Sequence, residues 1–415
     1  MKLQPLRGTK DLIGPTASAF RWIDEQAWHV ARHFGFQEIS TPIIESTDLF
    51  KRSLGETTDI ITKEMYSFDD RGGDSITLRP EGTAGVARAY ISGGMDRQLP
   101  LRFYYNGPMF RYERPQHGRQ RQFHQLGAEI LGIDSPFADS EVISFGYLFL
   151  KEIGILNKVQ LEINTLGDAA SRKAYRETLV SYFNQNKSSL SEDSLKRLET
   201  NPLRILDSKD EQDKKIVAGA PAFADSLNTE SHDFFNKVLL SLDNAGIAYV
   251  HNQKLVRGLD YYCHTVFEFT TTELGSQNAV LSGGRYDNLI EMLGGRPTPG
   301  IGWAAGIERL AMLVDESKIT KAEKPIVILA LNDEAQILAA KLSLQLREKG
   351  SRVETLYSGS NIGKLMKKAD GLNAKTVVII GEDELKTGIL TAKDMTSGEQ
   401  KKIAADQLPA HINLQ

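Results

Sequence analysis

Between Leu101 and Leu131 the sequence reads as a long hairpin with a wide loop, and as far as Gln125 it sets Arg102, Arg111, Arg114, Arg119 and Arg121 against Glu113 alone. Side chains alternate across a strand, so residues two apart share a face. Arg111 and Glu113 share one face. On the return strand Arg121, Phe123, Gln125, Gly127 and Glu129 share another, while Phe110, Tyr112, Leu126 and Ile130 take the opposite side. If the two polar sets face the same way, they gather two arginines, two carboxylates, an amide and an aromatic ring. Charges buried there need partners, so such a face makes a costly core. It makes a sensible floor for a polar, charged ligand. Guanidinium forks suit phosphate, and Phe123 offers a base a surface to stack on. The competing reading is a solvated hairpin tip.

Four other segments stand out, each with an ordinary reading beside it. Arg79-Pro80-Glu81-Gly82-Thr83 precedes a helix expected over Thr83 to Ile91, so Glu81 and Thr83 could simply cap it. Leu255 to Tyr262, with Arg257-Gly258-Leu259-Asp260-Tyr261-Tyr262, could be a turn with surface aromatics. In Leu281 to Asp287, which includes Tyr286, the glycines could make a turn or let a ligand approach the backbone. Gly300 to Val314 reads as a Gly-rich helical stretch whose small residues at 302, 304, 305 and 306 pack against a sheet, which leaves Arg309 unexplained. Cys263 and His264 are neighbours on an expected strand and point to opposite faces, so they do not make a nucleophile pair. The glycines form neither a Walker A nor a Rossmann fingerprint.

The remaining pattern suggests two domains. Phe20, Ile23, Ala27, Val30 and Phe34 recur at helical spacing and Gly35 ends the run. Thr41-Pro42-Ile43-Ile44 reads as extended, and strands at 65–68 and 76–78 flank the turn Asp69 to Asp74. Residues 171 to about 246 are helix-leaning and polar, and read as a small helical insertion. Strands follow at 265–271 and near 279–281. A boundary falls at Lys321-Ala322-Glu323-Lys324-Pro325, beyond which strands at 326–331, 353–357 and 376–380 alternate with helices at 334–349 and 362–369, a compact α/β pattern. The net charge of −4 gives no overall pull on nucleic acid, so a polyanion must be met by local basic surface. One cysteine excludes an internal disulfide and every Cys-cluster zinc site. The N-terminal Met-Lys-Leu-Gln-Pro-Leu-Arg-Gly lacks the apolar core of a signal peptide, and no stretch has the apolar length of a membrane span. A cytoplasmic location is expected.

These segments together resemble the class II aminoacyl-tRNA synthetases, and within them the histidyl-tRNA synthetase family. Arg111-Tyr112-Glu113 with its return strand resembles motif 2, Gly300 to Leu310 motif 3, and Thr41 to Ile44 the motif 1 strand, whose proline (here Pro42) lies at the dimer interface in the family. Leu255 to Tyr262 and Ser282 to Asp287 are similar to the two histidine-specific motifs. The resemblance implies an α+β fold: a class II catalytic domain over 1–324, an antiparallel sheet flanked by helices with the helical insertion, and an anticodon-binding α/β domain over 325–415. It implies ATP-dependent activation of L-histidine and transfer to the 3′ end of histidine tRNA by a homodimer, with Mg²⁺ on the ATP phosphates. In it Arg111 holds the α-phosphate, Glu113 meets the adenine end, Phe123 and Arg309 sandwich the adenine, and Arg121 contacts the phosphate tail. Glu81, Thr83, Gln125 and Arg257 surround the histidine amino and carboxylate groups. Glu129 and Tyr262, helped by Tyr261 and Tyr286, read the imidazole. Arg257 and Arg111 brace the transition state, and Arg114 and Gln116 approach the tRNA acceptor end.

Two other functions are weighed. A non-catalytic synthetase-like regulatory subunit of ATP phosphoribosyltransferase typically loses the anticodon-binding domain and parts of motif 2, which this sequence keeps. A tRNA sensor in a signalling protein needs an effector domain, for which the chain is too short.

Overall fold

The computed structural model describes residues 3–411 apart from 56, 57, 59, 117, 207, 209, 260, 276–278, 320–322 and 358–360. It falls into two compact units, Met1–Thr320 and Lys321–Gln415. Asp260, inside the Leu255–Tyr262 motif, lies outside the described residues. Among the described residues no helix is long and apolar enough to cross a membrane.

Helix α1 (Pro15–His33) is followed by β1 (Gln37–Glu38), β2 (Ile44–Ser46), α2 (Thr47–Leu54), a hairpin of β3 (Tyr66–Asp69) and β4 (Ser75–Leu78), α3 (Thr83–Ser92), and a long hairpin of β5 (Leu101–Phe110) and β6 (Gln122–Leu131). Helix α4 (Pro136–Glu152) and β7 (Gln160–Thr165) lead into α5 (Ala169–Gln185), α6 (Glu192–Thr200), α7 (Glu211–Val217) and α8 (Thr229–Asn244). Then come β8 (Val250–His251), β9 (Cys263–Thr270), β10 (Ala279–Arg285), α9 (Leu289–Met292), β11 (Gly300–Gly306) and α10 (Ile307–Leu313). Eight strands make one sheet in the order β1-β5-β6-β11-β10-β9-β7-β8, antiparallel except for the outer pairs β1/β5 and β7/β8.

Alternation divides this sheet into two faces. Leu126, Ala128 and Ile130 of β6, Ile301, Trp303 and Ala305 of β11, and Phe267 and Phe269 of β9 join a core with Phe20, Ile23 and Val30 of α1 and Val142, Phe145 and Phe149 of α4. The other face is covered in part by α2 and α3, through Phe50, Leu54, Ala84 and Val86. The uncovered part is where polar side chains gather. Ends of elements follow local chemistry: Pro15 opens α1 at its first turn, and Ser135 caps α4, its Oγ accepting from the Phe137 N–H at 3.3 Å.

Three features depart from the sequence reading. Gly300 to Gly306 is a strand, not the start of a helix, and only Ile307–Leu313 is helical. Its small residues serve the interior of the sheet, wedged between β6 and β10, where Gly302 has no side chain to collide with the Glu129 carboxylate. Thr41 to Ile43 lies outside the strands, tied down by Arg79, whose Nη1 donates to the Thr41 carbonyl at 2.9 Å and whose Nε donates to the Pro108 carbonyl at 2.9 Å. Finally, the helical segment is not uniform. Tyr175, Leu179, Phe183, Leu198, Ile205, Val217 and Phe223 form a small core of their own, whereas α8 puts Phe235, Val238 and Leu242 into the main core.

The second unit contains β12 (Ile326–Ala330), α11 (Asp333–Glu348), β13 (Val353–Leu356), α12 (Ile362–Gly371), β14 (Thr376–Ile380), α13 (Glu382–Thr387), β15 (Ile389–Asp394), β16 (Gln400–Ala404) and α14 (Leu408–His411). The sheet order is β13-β12-β14-β15-β16, parallel over the first three strands and antiparallel beyond. Strand β12 is buried on both faces, Ile326 and Ile328 in one core and Val327 and Leu329 in another, which is why it reads as an unbroken apolar run.

One fully buried ion pair ties β10 to α4. The Arg285 guanidinium meets the Asp139 carboxylate, with its Nε 3.0 Å from Oδ1, and also donates to Asp287 Oδ1 at 3.0 Å and to the carbonyls of Ile133 and Ser135. Removing one partner of such a pair strands the other charge. Asp139→Ala is therefore expected to destabilise the first unit by about 3–5 kcal/mol, read from its urea midpoint. A change under about 1 kcal/mol would deny the pair its anchoring role.

Candidate active site

A cavity of about 1140 Å³ opens on the uncovered face of the large sheet. Twelve residues named from the sequence line it: Glu81, Thr83, Arg111, Glu113, Phe123, Gln125, Glu129, Arg257, Tyr261, Tyr262, Tyr286 and Arg309. They come from β6, from the loop that follows β5 (Arg111 and Glu113), from the turn before α3 and its first residue, from the stretch before β9, from just beyond β10 and from α10.

Glu129 is the centre of the floor. It is 1% exposed and accepts hydrogen bonds from the Tyr286 hydroxyl at 2.6 Å and the Thr83 hydroxyl at 2.7 Å. Burial pushes its carboxyl up to about 8, against the pull of those hydroxyls. Glu81, 4% exposed, accepts the N–H groups of Thr83 at 2.6 Å and Ala84 at 2.8 Å. It thus caps α3 and lines the cavity at once, and burial raises its carboxyl too. Gln125 Oε1 takes the Gly82 N–H at 3.2 Å. The rings of Tyr261, Tyr262 and Tyr286 pack together, 4.7 Å and 5.8 Å between centroids.

Arg257 sits at one side of this floor. Its guanidinium pairs with Glu268 of β9, donates to Ser282 Oγ of β10 at 2.9 Å, and lies over the Tyr262 ring. Burial alone would weaken its hold on the proton, but Glu268 together with Tyr262 and Tyr261 more than offsets this and the net shift is upward. On the other side Arg111 Nε donates to the Pro80 carbonyl at 2.8 Å, and its guanidinium lies 5.4 Å from the Phe123 ring centre. Glu113 is held by Arg119 at 2.5 Å. Arg309 donates to the Ala279 carbonyl at 2.6 Å. Burial, then the nearby Arg119, makes Arg309 less basic than a free guanidinium. The site therefore brings together cations whose mutual repulsion an anionic ligand would relieve.

Three residues named from the sequence stand elsewhere. Arg121 does not line the cavity. It lies just before β6, where its N–H bonds to the Gly8 carbonyl at 2.7 Å and its carbonyl accepts the Arg111 N–H at 2.8 Å. Its guanidinium stacks 3.8 Å from the Tyr112 ring centre, and its Nε donates to the Glu113 carbonyl at 3.3 Å. Arg114 and Gln116 are exposed on the loop between β5 and β6. Cys263 is buried and its thiol is pushed up to about 12, first by burial and then by Asp287, which suits packing rather than nucleophilic chemistry. Among the described residues no group of three or more His, Cys, Asp or Glu could hold a metal ion.

Sequence reasoning missed Glu268, Ser282 and Arg119 as part of this site. Glu268 had a visible signal, a lone charge within the apolar run Cys263–Thr270. Ser282 and Arg119 carried none beyond membership in motifs already singled out.

The family model described as Histidyl-tRNA synthetase matches residues 8–310, and that of an Anticodon binding domain matches residues 325–413. The histidine–tRNA ligase of Rhodospirillum rubrum is 52% identical over 401 residues, 97% of this chain and 96% of that protein. That of Gluconobacter oxydans is 50% identical over 98% of this chain and 97% of its own. The crystal structure of apo S. aureus histidyl-tRNA synthetase superposes with a TM-score of 0.82 at 37% identity, covering 99% of each chain. An ATP phosphoribosyltransferase regulatory subunit/histidyl-tRNA synthetase from Bacillus halodurans shares the fold with a TM-score of 0.64 at 24% identity, over 89% of this chain and 97% of that one. The curated relatives are aminoacyl-tRNA ligases by class. The chain belongs to the histidyl-tRNA synthetase family.

The Glu129 environment has a consequence for stability. Its folded carboxyl titrates near 8 and an unperturbed one near 4.5. Between those values the folded chain keeps a proton that the unfolded chain gives up, so stability falls as pH rises through this window and levels off above it. Glu81 acts in the same direction. Glu129→Gln is expected to flatten the decline by up to about 1.4 kcal/mol per pH unit, measured by urea unfolding of the ligand-free protein across the window. An equal slope in wild type and variant would contradict the raised carboxyl.

Proposed function

We propose that the chain is a working histidine–tRNA ligase, which activates L-histidine with ATP to histidyl-adenylate and transfers the histidyl group to the 3′ end of histidine tRNA. The observation that carries this reading is that Arg111, Arg257, Arg309 and Glu129 line one cavity. The regulatory-subunit alternative is disfavoured, because this chain retains both the cationic wall and a segment matching an anticodon-binding domain.

In the first step the histidine carboxylate attacks the α-phosphorus of MgATP and pyrophosphate leaves. The protein's part is positioning and countercharge. Arg257, fixed by Glu268 and Ser282, braces the carboxylate and the α-phosphate, and Arg111 meets the phosphate from the opposite side. Phe123 and Arg309 flank the adenine and Glu113 meets its edge. Mg²⁺ arrives with the nucleotide as part of the substrate. Arg121, stacked on Tyr112, braces the loop rather than touching the phosphates. The imidazole lies against Glu129, Tyr262 and Tyr286, with Tyr261 behind. Glu81, Thr83 and Gln125 take the amino group. A site whose buried carboxylate expects an imidazole partner leaves polar atoms unpaired when another side chain enters, and so rejects it. In the second step a ribose hydroxyl of the terminal adenosine attacks the acyl carbon and AMP leaves.

Arg114 and Gln116, exposed on the hairpin loop, face the tRNA acceptor end in this reading, and residues 325–415 bind the anticodon. The protein acts in the cytoplasm as a homodimer, for which exposed Ile43 and Ile44 beside Pro42 offer apolar surface.

Pyrophosphate exchange assayed with each standard amino acid in turn should respond to histidine alone; exchange with none of them would favour the regulatory reading. Arg257→Ala should lower histidine-dependent exchange by about 100-fold or more while leaving the far-ultraviolet circular dichroism unchanged. Normal exchange would remove Arg257 from catalysis. Deletion of residues 325–415 should impair tRNA charging more than exchange, and equal losses would assign the segment a structural role.

A further inference from the structure

The stretch that carries Arg257, Tyr261 and Tyr262 lies between β8 and β9 and belongs to neither strand. Backbone outside a ladder depends on other donors to hold its carbonyls in place. Its first half is fastened from the sheet, where Asn164 Nδ2 of β7 donates to the carbonyls of Gln253 at 3.2 Å and Leu255 at 3.0 Å. Its second half is fastened from the helical segment. Arg172 Nη1, on α5, donates to the Tyr262 carbonyl at 2.8 Å. Arg204 Nη2, on the short turn Pro202–Ile205, donates to the Gly258 carbonyl. One arginine grips the residue next to Arg257, and the other grips Tyr262 itself.

The gripping elements are themselves well held. Asp168 caps α5 through the Ser171 N–H at 2.7 Å and also accepts from Asn228 Nδ2 at 2.7 Å, while Asn228 caps α8 through the Ser231 N–H at 2.9 Å. The cap residues of α5 and α8 are thus tied to each other. Further out, the fully buried Asp213 carboxylate gathers the hydroxyls of Ser191, Ser194 and Ser208 at 2.7, 2.6 and 2.6 Å. Against burial, the Ser191 N–H at 2.9 Å and then these hydroxyls bring its carboxyl down to about 2. This network fixes the residues on either side of the turn that presents Arg204.

We propose that Arg172 and Arg204 are positioning residues for histidine: through the Gly258 and Tyr262 carbonyls the helical segment sets the placement of Arg257 and Tyr262 against the substrate. The inference rests on the cavity being the histidine site. Groups on the nucleotide side, Arg111, Glu113, Phe123 and Arg309, hang on the β5–β6 hairpin and α10, whereas the hydrogen bonds of Arg172 and Arg204 to described residues reach the Tyr262 and Gly258 carbonyls. A defect in the grip therefore falls on histidine and spares ATP.

Both arginines also line the cavity, so a role in holding RNA must be separated from a role in placing the loop. Pyrophosphate exchange without tRNA makes that separation. In Arg172→Ala and Arg204→Ala the KM for histidine should rise about tenfold, with the KM for ATP within about twofold of wild type and the thermal midpoint unchanged. Arg172→Lys and Arg204→Lys keep a cationic donor and should recover much of the histidine KM. An unchanged histidine KM with a defect only in charging would assign the arginines to RNA and overturn the proposal. So would parallel rises in both KM values, or lysine variants no better than alanine ones. If wild type itself gives no histidine-dependent exchange, it is the functional reading that fails, which is a different result from wild-type exchange matched by the variants.

Discussion

A carboxylate buried at the middle of an antiparallel sheet is the constraint around which the first unit is arranged. Glu129 cannot be left without partners in that position, and the partners it has come from α3 and from the end of β10. The neighbouring strand must also stay out of its way. A side chain at residue 302 would collide with the carboxylate, and one at residue 127 or 82 would collide with the Tyr105 ring. The glycines of β6, of β11 and of the turn before α3 are thus one feature seen in three places. They let a ring and a carboxylate occupy the plane where ordinary strands would put methyl groups.

The positive charge of the site is handled differently on its two sides. Arg257 has a dedicated carboxylate, Glu268, and a hydroxyl, Ser282, on adjacent strands, so its direction is set by the sheet. Arg111 and Arg309 are each oriented by a backbone carbonyl, and the Glu113 carboxylate, 4.0 Å from Arg111, is taken up more closely by Arg119 at 2.5 Å. A pocket that must receive a polyphosphate needs cations that remain unneutralised. A pocket that must hold one carboxylate in a single place benefits from an arginine whose orientation is fixed. Arg285, four residues beyond Leu281 in the same strand as Ser282, does neither. Paired with Asp139 deep in the protein, it holds β10 on α4 and so fixes the strand from which Ser282 and Tyr286 reach the cavity.

How much of this was legible in the sequence follows from which forces act locally. Helix α1 and the alternation along β6 are written in residue spacing, since each is decided by the face a side chain presents. The polar face of β6 could be read as far as Phe123. Just before β6 the Arg121 N–H goes instead to the carbonyl of Gly8, more than a hundred residues away in sequence, a partner that residue spacing does not announce. Strand β11 was misread as helix for a related reason. Runs such as Gly-Ile-Gly-Trp-Ala-Ala-Gly have no propensity strong enough to resist what surrounds them, and neighbours on both sides of the sheet decide. In the second unit β12 and β14 announce themselves as apolar runs, whereas β15 and β16, interrupted by lysines and other polar residues, form the antiparallel side of the sheet and carry no such mark.

Within the site the same division holds. Residues whose chemistry is scarce in a core, such as Glu129, Arg257 and Arg111, can be singled out because a buried charge needs a reason. Their supports are harder to see. Ser282 is an ordinary serine, and Arg172 and Arg204 sit in a polar helical stretch where arginines are unremarkable. What gives the last two significance is that each reaches a backbone carbonyl beside a cavity residue, a relation between parts of the chain up to about ninety residues apart that no local pattern encodes. A helical segment inserted between two strands can therefore shape the site without contributing a group to its floor.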